Sequence, residues 1–349
     1  MNQHLPRIDA LRGLLAITVL TYHVASQFDA VRGIANGIGA VVAFFVISGF
    51  VLARSLDANP DPVRFFRNRF FRLFPAGAAS VVLLTALYHS TGFYTGYVPS
   101  FDPLNVLLNM LMIKSDINAS MWSMTVECFA TPIILGAFLV GKRYGTRPLY
   151  ITIALLFAIS SWGPYVHALG GGTNLAPLHA FLIGILIHLQ GRQILDRLPD
   201  WAVLTFAIVA AIVFFLCGFK KQTAPILLLE ALCASSVISA VAFRQFSIFR
   251  FLDLGVARFY GDISYSFYLL HMIGVGVAFR LIDANHLSEL ARFAAICVAS
   301  MAVTTPLAYL SWRLIELPPM RFARTIGAAR PDASRLENSP QTQAPTSPR

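Results

Sequence analysis

Apolar runs long enough to cross a lipid bilayer recur along the whole chain, and short polar connections separate them. The hydrocarbon core of a bilayer is about 30 Å thick, so a helix of about 20 apolar residues spans it. The pattern predicts about ten transmembrane helices and therefore an all-α polytopic membrane protein. The predicted spans are residues 10–28, 38–55, 74–92, 122–141, 149–166, 175–190, 200–217, 223–242, 259–281 and 290–313.

Basic residues are distributed unequally between the two sets of connections. If the N-terminus lies inside, all but six of the 27 Lys and Arg residues fall in cytoplasmic segments. The six others are Arg32, Lys114, Lys220, Lys221, Arg280 and Arg292. Because cytoplasmic loops of membrane proteins are enriched in Lys and Arg, this asymmetry predicts that both termini are cytoplasmic. The net charge of +10 therefore reflects topology and does not indicate nucleic-acid binding.

Composition supports a single membrane domain. The chain is 56% hydrophobic and 13% charged, whereas soluble domains carry about 25% charged residues. Residues 1–324 are predicted to form this domain. Residues 325–349 are rich in Pro, Ser, Ala and Gln and lack large apolar groups, so they are predicted to form a disordered cytoplasmic tail. The four cysteines fall within spans without metal-ligand spacing, which predicts buried thiols and no metal site.

Two ionisable residues share one face of the first span. Arg12 and His23 are eleven residues apart, which is about three helical turns and about 16 Å along the axis. Ionisable groups within a membrane are costly to bury and usually mark a functional site. An imidazole titrates near neutrality and can take a proton from a hydroxyl. We therefore expect a chemical site in the membrane, although a packing histidine is the alternative for His23.

Further polar residues lie within apolar sequence. Glu127 is near the outer end of the fourth span, where it either pairs with a cation or orients His23. Ser48 lies in the second span, where close helix packing and a substrate channel are both possible roles. The stretch YGDISYSFYLLH in the ninth span is predicted to line a cavity; it contains Ser264, Tyr265 and His271.

The polar residues are predicted to lie at different depths in the membrane, along a path from the inner to the outer side. Arg67 and Arg69 belong to a basic and aromatic cytoplasmic connection, residues 56–73. They provide either topological charge or a clamp for phosphate groups, to which the guanidinium fork is suited. His23, Glu127 and His271 are predicted to lie at or beyond the midplane. The sequence therefore predicts an anion site inside and acid–base groups farther out.

Two other functions fit parts of this pattern. A transporter or flippase also carries polar groups near the midplane. The inverted repeats and interrupted helices that are typical of transporters are not evident in this sequence. A zinc site formed by His23, Glu127 and His271 has suitable ligand types, although the spacing between separate helices gives no support.

The motifs taken together resemble the membrane-bound acyltransferase 3 family, whose members O-acylate envelope sugars, antibiotics and related acceptors. The resemblance covers about residues 7–320, and Ala10 stands where the family often has Gly. No motif is specific by itself, but their order and topology match. The matching segments are RIDALRGLLAITVLTYH, FFVISGF, RNR at 67–69, WSMTVE at 122–127 and SYSFYLLH at 264–271.

This resemblance implies a donor site and a catalytic base. The donor would be a cytoplasmic acyl-CoA, most often acetyl-CoA, with Arg67 and Arg69 on its phosphates. Arg12 would line the route to the thioester, and His23 would be the base that deprotonates the acceptor hydroxyl, or alternatively relay the acyl group covalently. Glu127 would orient His23 or accept a substrate hydroxyl.

The resemblance also implies an acceptor and a location. The acceptor would be a hydroxyl of a glycan or lipid-linked sugar at the outer face, with a small molecule as an alternative. The protein would be a multi-pass protein of the bacterial inner membrane. The residues expected to bind substrate are Ser48, Trp122, Ser264, Tyr265 and His271.

Overall fold

The computed structural model describes residues 5–282 and 287–328, and within these ranges the chain is helical without strands. Nine helices of this described part are long and apolar enough to cross a membrane, which confirms the all-α polytopic fold. The α-helices are α1 Pro6–Ala25, α2 Gly37–Ala58, α3 Pro62–Thr91, α4 Pro103–Met110, α5 Trp122–Tyr144, α6 Arg147–Ile159, α7 Gly163–Val166, α8 His179–Leu186, α9 Arg192–Leu195, α10 Asp200–Cys217, α11 Ala224–Phe243, α12 Gly255–Leu281, α13 Glu289–Ser311 and α14 Leu317–Ala328.

The ends of α8 and α13 continue through short π-helical turns. Ile187–Gly191 joins α8 to α9, and Trp312–Glu316 joins α13 to α14. Because a π turn adds one residue to the turn, it changes the direction in which the following side chains point. The last two helices therefore form one long element, Glu289–Ile326 by its apolar extent.

The basic and aromatic segment 56–73, predicted as a connection, is mostly helical. Asp61 caps a helix by accepting a hydrogen bond from the Val63 amide at 2.9 Å, and Pro62 occupies the first helical turn. From this start α3 continues unbroken for 30 residues. Arg67 and Arg69 therefore lie on a rigid helix, and the side chain of Arg69 faces the inside of the bundle.

The C-terminal ends of α2, α5 and the α8–α9 element lie at one level of the bundle. Lys142 donates to Asp57 at 2.8 Å, and His188 Nε2 lies 3.2 Å from the second carboxylate oxygen of Asp57. Because α5 and α8 reach this level in the same direction, the chain between them must cross back to the opposite level.

Helix α6 makes most of this return crossing. It has 13 residues and is shorter than the predicted span 149–166. At its start the hydroxyl of Thr146 donates to Gln190 at 3.1 Å, and near its end the ring of Phe157 contacts His179, where α8 begins. The described residues thus contain nine helices long enough to cross a membrane, and α6 is a shorter apolar helix among them. That both termini are cytoplasmic stays a prediction.

Glycines bring the central helices into backbone contact. A Cβ atom on Gly13 of α1 would lie 2.6 Å from the Gly261 amide nitrogen of α12. A Cβ atom on Gly49 of α2 would overlap the Phe181 carbonyl oxygen of α8. Small residues allow such close approach between membrane helices. The packing role predicted for the FFVISGF segment therefore belongs to Gly49.

Helix α14 extends to Ala328, so residues 325–328, at the start of the predicted tail, are helical. The boundary of the membrane domain at residue 324 stays a prediction. The rest of the predicted tail, residues 329–349, lies outside the described residues.

Candidate active site

A cavity of about 260 Å³ lies between six helices. Helices α1, α2, α3, α5, α12 and α14 each contribute side chains to its wall. The wall includes six of the residues that the sequence predicted for the site. They are Arg12, Ser48, Arg69, Glu127, Ser264 and Tyr265.

Glu127 forms the polar centre of one wall. The Ser48 hydroxyl donates to its Oε1 atom at 2.6 Å, and the Arg69 guanidinium lies 2.6 Å from the same oxygen. The side chains of Arg69 and Glu127 are only 12% and 13% exposed, so the ion pair is shielded from solvent. Among the described residues the partners of Glu127 are thus Ser48 and Arg69, not His23.

A second buried ion pair adjoins the cavity through Arg72, and the sequence analysis missed it. Arg72 pairs with Glu316, whose side chain is fully buried. The Ser266 hydroxyl donates to the other Glu316 oxygen at 2.7 Å. Arg72 also lies over the ring of Tyr265, 5.3 Å from its centroid, and the Tyr265 hydroxyl donates to the Leu73 carbonyl oxygen at 2.6 Å.

Basic side chains dominate the ionisable groups of the cavity. Four arginines line it, whereas Glu127 is its one lining carboxylate among the described residues. Arginine binds phosphate and carboxylate groups through parallel N–H donors. The cavity therefore suits an anionic ligand. The lining arginines are Arg12, Arg69, Arg72 and Arg324.

The two candidate histidines form a pair outside the cavity lining. The ring centroids of His23 and His271 are 5.1 Å apart. His23 is half-buried and His271 is fully buried. His271 Nδ1 lies 2.6 Å from the Tyr268 carbonyl oxygen. Because a carbonyl only accepts, Nδ1 carries the proton, which leaves a lone pair on Nε2 in the neutral ring.

Tyr268 adjoins both the cavity and the histidine pair. Its side chain lines the cavity, its hydroxyl lies 2.8 Å from the Ser123 hydroxyl, and its ring centroid lies 5.7 Å from that of His271. The cavity and the histidines are therefore neighbouring parts of one site, joined at an aromatic wall.

The histidine pair has the same register on both helices. Each histidine follows the glycine of the α1–α12 contact by ten residues: Gly13 precedes His23, and Gly261 precedes His271. Ten residues correspond to about 15 Å of helix, so parallel helices that touch at the glycines bring both rings to one depth. This equal spacing is visible in the sequence and could have predicted the pair.

Besides the two histidines, two predicted residues lie away from the cavity lining. Trp122 packs edge-to-face on Phe45, with ring centroids 6.3 Å apart. Arg67 is half-buried on α3, and its Nε and Nη2 atoms are buried without a hydrogen-bond partner among the described residues.

The zinc alternative gains no support from the described residues. They include no group of three or more His, Cys, Asp or Glu side chains placed to hold a metal ion. His23 and His271 meet each other, whereas Glu127 lies with Ser48 and Arg69.

Comparison with known proteins finds one family over most of the chain. The profile of the acyltransferase 3 family, described as an acyltransferase domain, matches residues 5–309. No solved structure matches the chain.

Several similar proteins align over most of their length. Acyltransferase MdmB of Streptomyces mycarofaciens is 25% identical over 95% of this chain and 94% of its own. The putative membrane-bound transacylase BcsY of Komagataeibacter xylinus is 27% identical over 92% and 86%. Nodulation protein 10 of Rhizobium leguminosarum bv. viciae is 24% identical over 83% and 84%.

Proposed function

This chain belongs to the acyltransferase 3 family and is a multi-pass membrane O-acyltransferase, and we propose which groups it transfers. The donor is cytoplasmic acyl-CoA, most simply acetyl-CoA. The acceptor is a hydroxyl of a sugar or glycan at the outer side of the bacterial inner membrane. The observation that carries this proposal is the arginine-lined cavity that ends at Tyr268, directly beside the His23–His271 pair. A transporter or flippase remains the alternative, but the family match favours the enzyme.

The donor end of the site is assigned to the arginine-rich part of the cavity. Among the described residues, the Nε and Nη2 atoms of Arg67 and the Nε atom of Arg69 are buried without a hydrogen-bond partner, whereas Arg69 Nη2 faces Glu127. Burying donors without acceptors costs free energy, so these nitrogens favour an anionic ligand. The phosphates of CoA would fill that need, because guanidinium groups bind phosphate in a fork geometry. Arg12, deeper on α1, would line the path of the thioester.

The acceptor end is assigned to the histidine pair. His23 would take the proton of the acceptor hydroxyl while the hydroxyl oxygen attacks the thioester carbonyl carbon. The carbon–sulfur bond then breaks, and the proton held by His23 passes to the departing CoA sulfur. The products are an ester and free CoA thiol. The lone pair on His271 Nε2 is available to accept a hydrogen bond from the sugar.

The remaining predicted residues would hold the substrates. Ser48, Ser264 and Tyr265 line the cavity through which the acyl-pantetheine arm would pass. Glu127 would keep Arg69 in place, since the two groups form a shielded ion pair. Trp122 would act through its packing on Phe45, and not by direct contact with the cavity.

The test is CoA release by the purified protein. Wild-type protein in detergent, supplied with acetyl-CoA and a short envelope glycan, should release CoA thiol and yield an alkali-labile acetyl ester that mass spectrometry detects. His23→Ala should lower the rate by about 100-fold or more, because a positioned general base contributes about 10²–10⁴-fold.

The matched control is His89→Ala, a change at an exposed histidine at the far end of α3. It should release CoA at the wild-type rate. Wild-type activity in well-folded His23→Ala would overturn the role of the base. A wild-type protein that moves sugar across vesicles and releases no CoA would replace the proposal with the transporter.

A further inference from the structure

Part of the cavity wall comes from a segment beyond the family match. The profile ends at residue 309, whereas α14 begins at Leu317. Three residues of α14 line the cavity: Met320, Ala323 and Arg324. Their spacing of three and four residues places them on one helical face.

Helix α14 is fixed in position by contacts at its start and middle. Glu316, immediately before α14, is buried in its ion pair with Arg72. Arg72 also contacts the Met320 sulfur at 3.2 Å, and the ring of Phe322 packs edge-to-face on Phe71 with centroids 5.9 Å apart. The face that carries Arg324 is therefore held toward the cavity by packing on α3.

Arg324 differs from the other arginines of the cavity in its charge balance. Each of the other three lies beside a carboxylate of the protein. Among the described residues, Arg324 has no ion-pair partner, and its side chain is exposed at the cavity wall. The three pairs are Arg12 with Asp9 at 3.7 Å, Arg69 with Glu127 at 2.6 Å, and Arg72 with Glu316.

From this arrangement we infer that Arg324 is a donor-specificity residue, which binds a phosphate group of the acyl donor at the mouth of the cavity. A cation already neutralised by the protein gains less from a phosphate than an uncompensated one at the same cavity. The inference rests on the proposed acyl-CoA donor and adds a residue that neither the family profile nor the sequence motifs include. Because Arg324 is exposed at the cavity wall, whereas the histidine pair lies beside Tyr268, it acts on donor binding and not on the chemical step.

The experiment compares two donors that share a thioester and differ in phosphate. Acetyl-CoA carries the phosphates, whereas S-acetyl-pantetheine has the same thioester arm without them. Arg324→Gln should raise the KM for acetyl-CoA about twofold to fivefold, the effect expected for an exposed charged contact. The kcat for acetyl-CoA should stay within about twofold. The kcat/KM for S-acetyl-pantetheine should move far less than that for acetyl-CoA.

Matched variants keep the outcomes distinct. Arg321→Gln removes an exposed arginine of the same helix that does not line the cavity, and it should leave the KM for acetyl-CoA unchanged. Arg324→Lys should recover part of the affinity. An unchanged KM in Arg324→Gln, with wild-type protein active, would overturn this inference alone. An equal loss with both donors would show a structural role for α14. Absence of CoA release by wild-type protein would overturn the proposed function instead.

Discussion

The buried pair of Arg72 and Glu316 gives the sharpest test of how the bundle is held together. Glu316 is fully buried, and the Arg72 side chain is 18% exposed. Glu316→Gln preserves size and keeps an oxygen that accepts from Ser266, but it removes the charge that faces Arg72. Breaking a buried pair by removing one partner costs about 3–5 kcal/mol. Because Arg72 keeps some solvent contact, we expect about 3 kcal/mol.

The assay is the free energy of unfolding of the purified protein in mixed detergent micelles, measured by denaturant titration. The double variant Arg72→Met with Glu316→Gln removes the uncompensated cation, so it should regain at least half of the lost stability. Asp57→Asn is the control, because its pair with Lys142 is 40% and 53% exposed and should contribute less than about 1 kcal/mol. Additive losses in the double variant would refute the reasoning, as would a Glu316→Gln protein as stable as the wild type.

Two further changes test the packing and the periphery. Gly49→Ala should lower the free energy of unfolding by about 1–3 kcal/mol, because the new Cβ atom would overlap the rigid backbone of Phe181. In the control Gly136→Ala nothing lies within 4 Å of the new atom, so that variant should be as stable as the wild type or slightly more stable. Equal thermal midpoints for both variants would contradict the contact. Outside the spans, the hydrogen bond from Arg7 lowers the pKa of Asp253 below its usual 3.8. The resulting stabilisation of the folded state is present above pH 3.8 and is lost as the pH falls through the lowered pKa. Asp253→Asn should therefore lower the thermal midpoint at pH 7, and the difference from wild type should shrink toward pH 3. A difference that stays constant with pH would argue against the linkage.

The sequence predicted the crossings well because membrane burial acts on each segment separately. A run of about 20 apolar residues has to form a helix wherever it meets lipid, since its backbone has no other hydrogen-bond partners there. This condition identifies α1, α2 and α10 from composition alone. It does not decide how a helix continues beyond the lipid, which is why the cap at Asp61 and the full length of α3 were missed.

The candidate site was predicted in part. Arg12, Ser48, Arg69 and Glu127 were identified because ionisable and polar residues stand out in apolar sequence, and the structure brings them together. Their partners depend on which helices are neighbours, and spacing along one helix contains no such information. Glu127 was accordingly left between a cation partner and His23, and its neighbours are Ser48 and Arg69.

Glu316 was missed for a related reason. The apolar run that marks the last predicted span ends near residue 313, so Glu316 did not stand out as a charged residue within a span. The π turn Trp312–Glu316 and the continuation into α14 turn it into the bundle instead. A change in helix type over one turn has no hydrophobic signature that could have predicted it.

The contact between Gly13 and Gly261 constrains how this protein can change during evolution. Inserting one residue between Gly13 and His23 would move the imidazole about 1.5 Å and rotate it by about 100°, away from its partner on α12. The same holds between Gly261 and His271. A substitution in either stretch affects one side chain, but a deletion or insertion separates the two rings at once. Chains that keep the histidine pair should therefore keep both ten-residue intervals free of length changes, even where every other position in them differs.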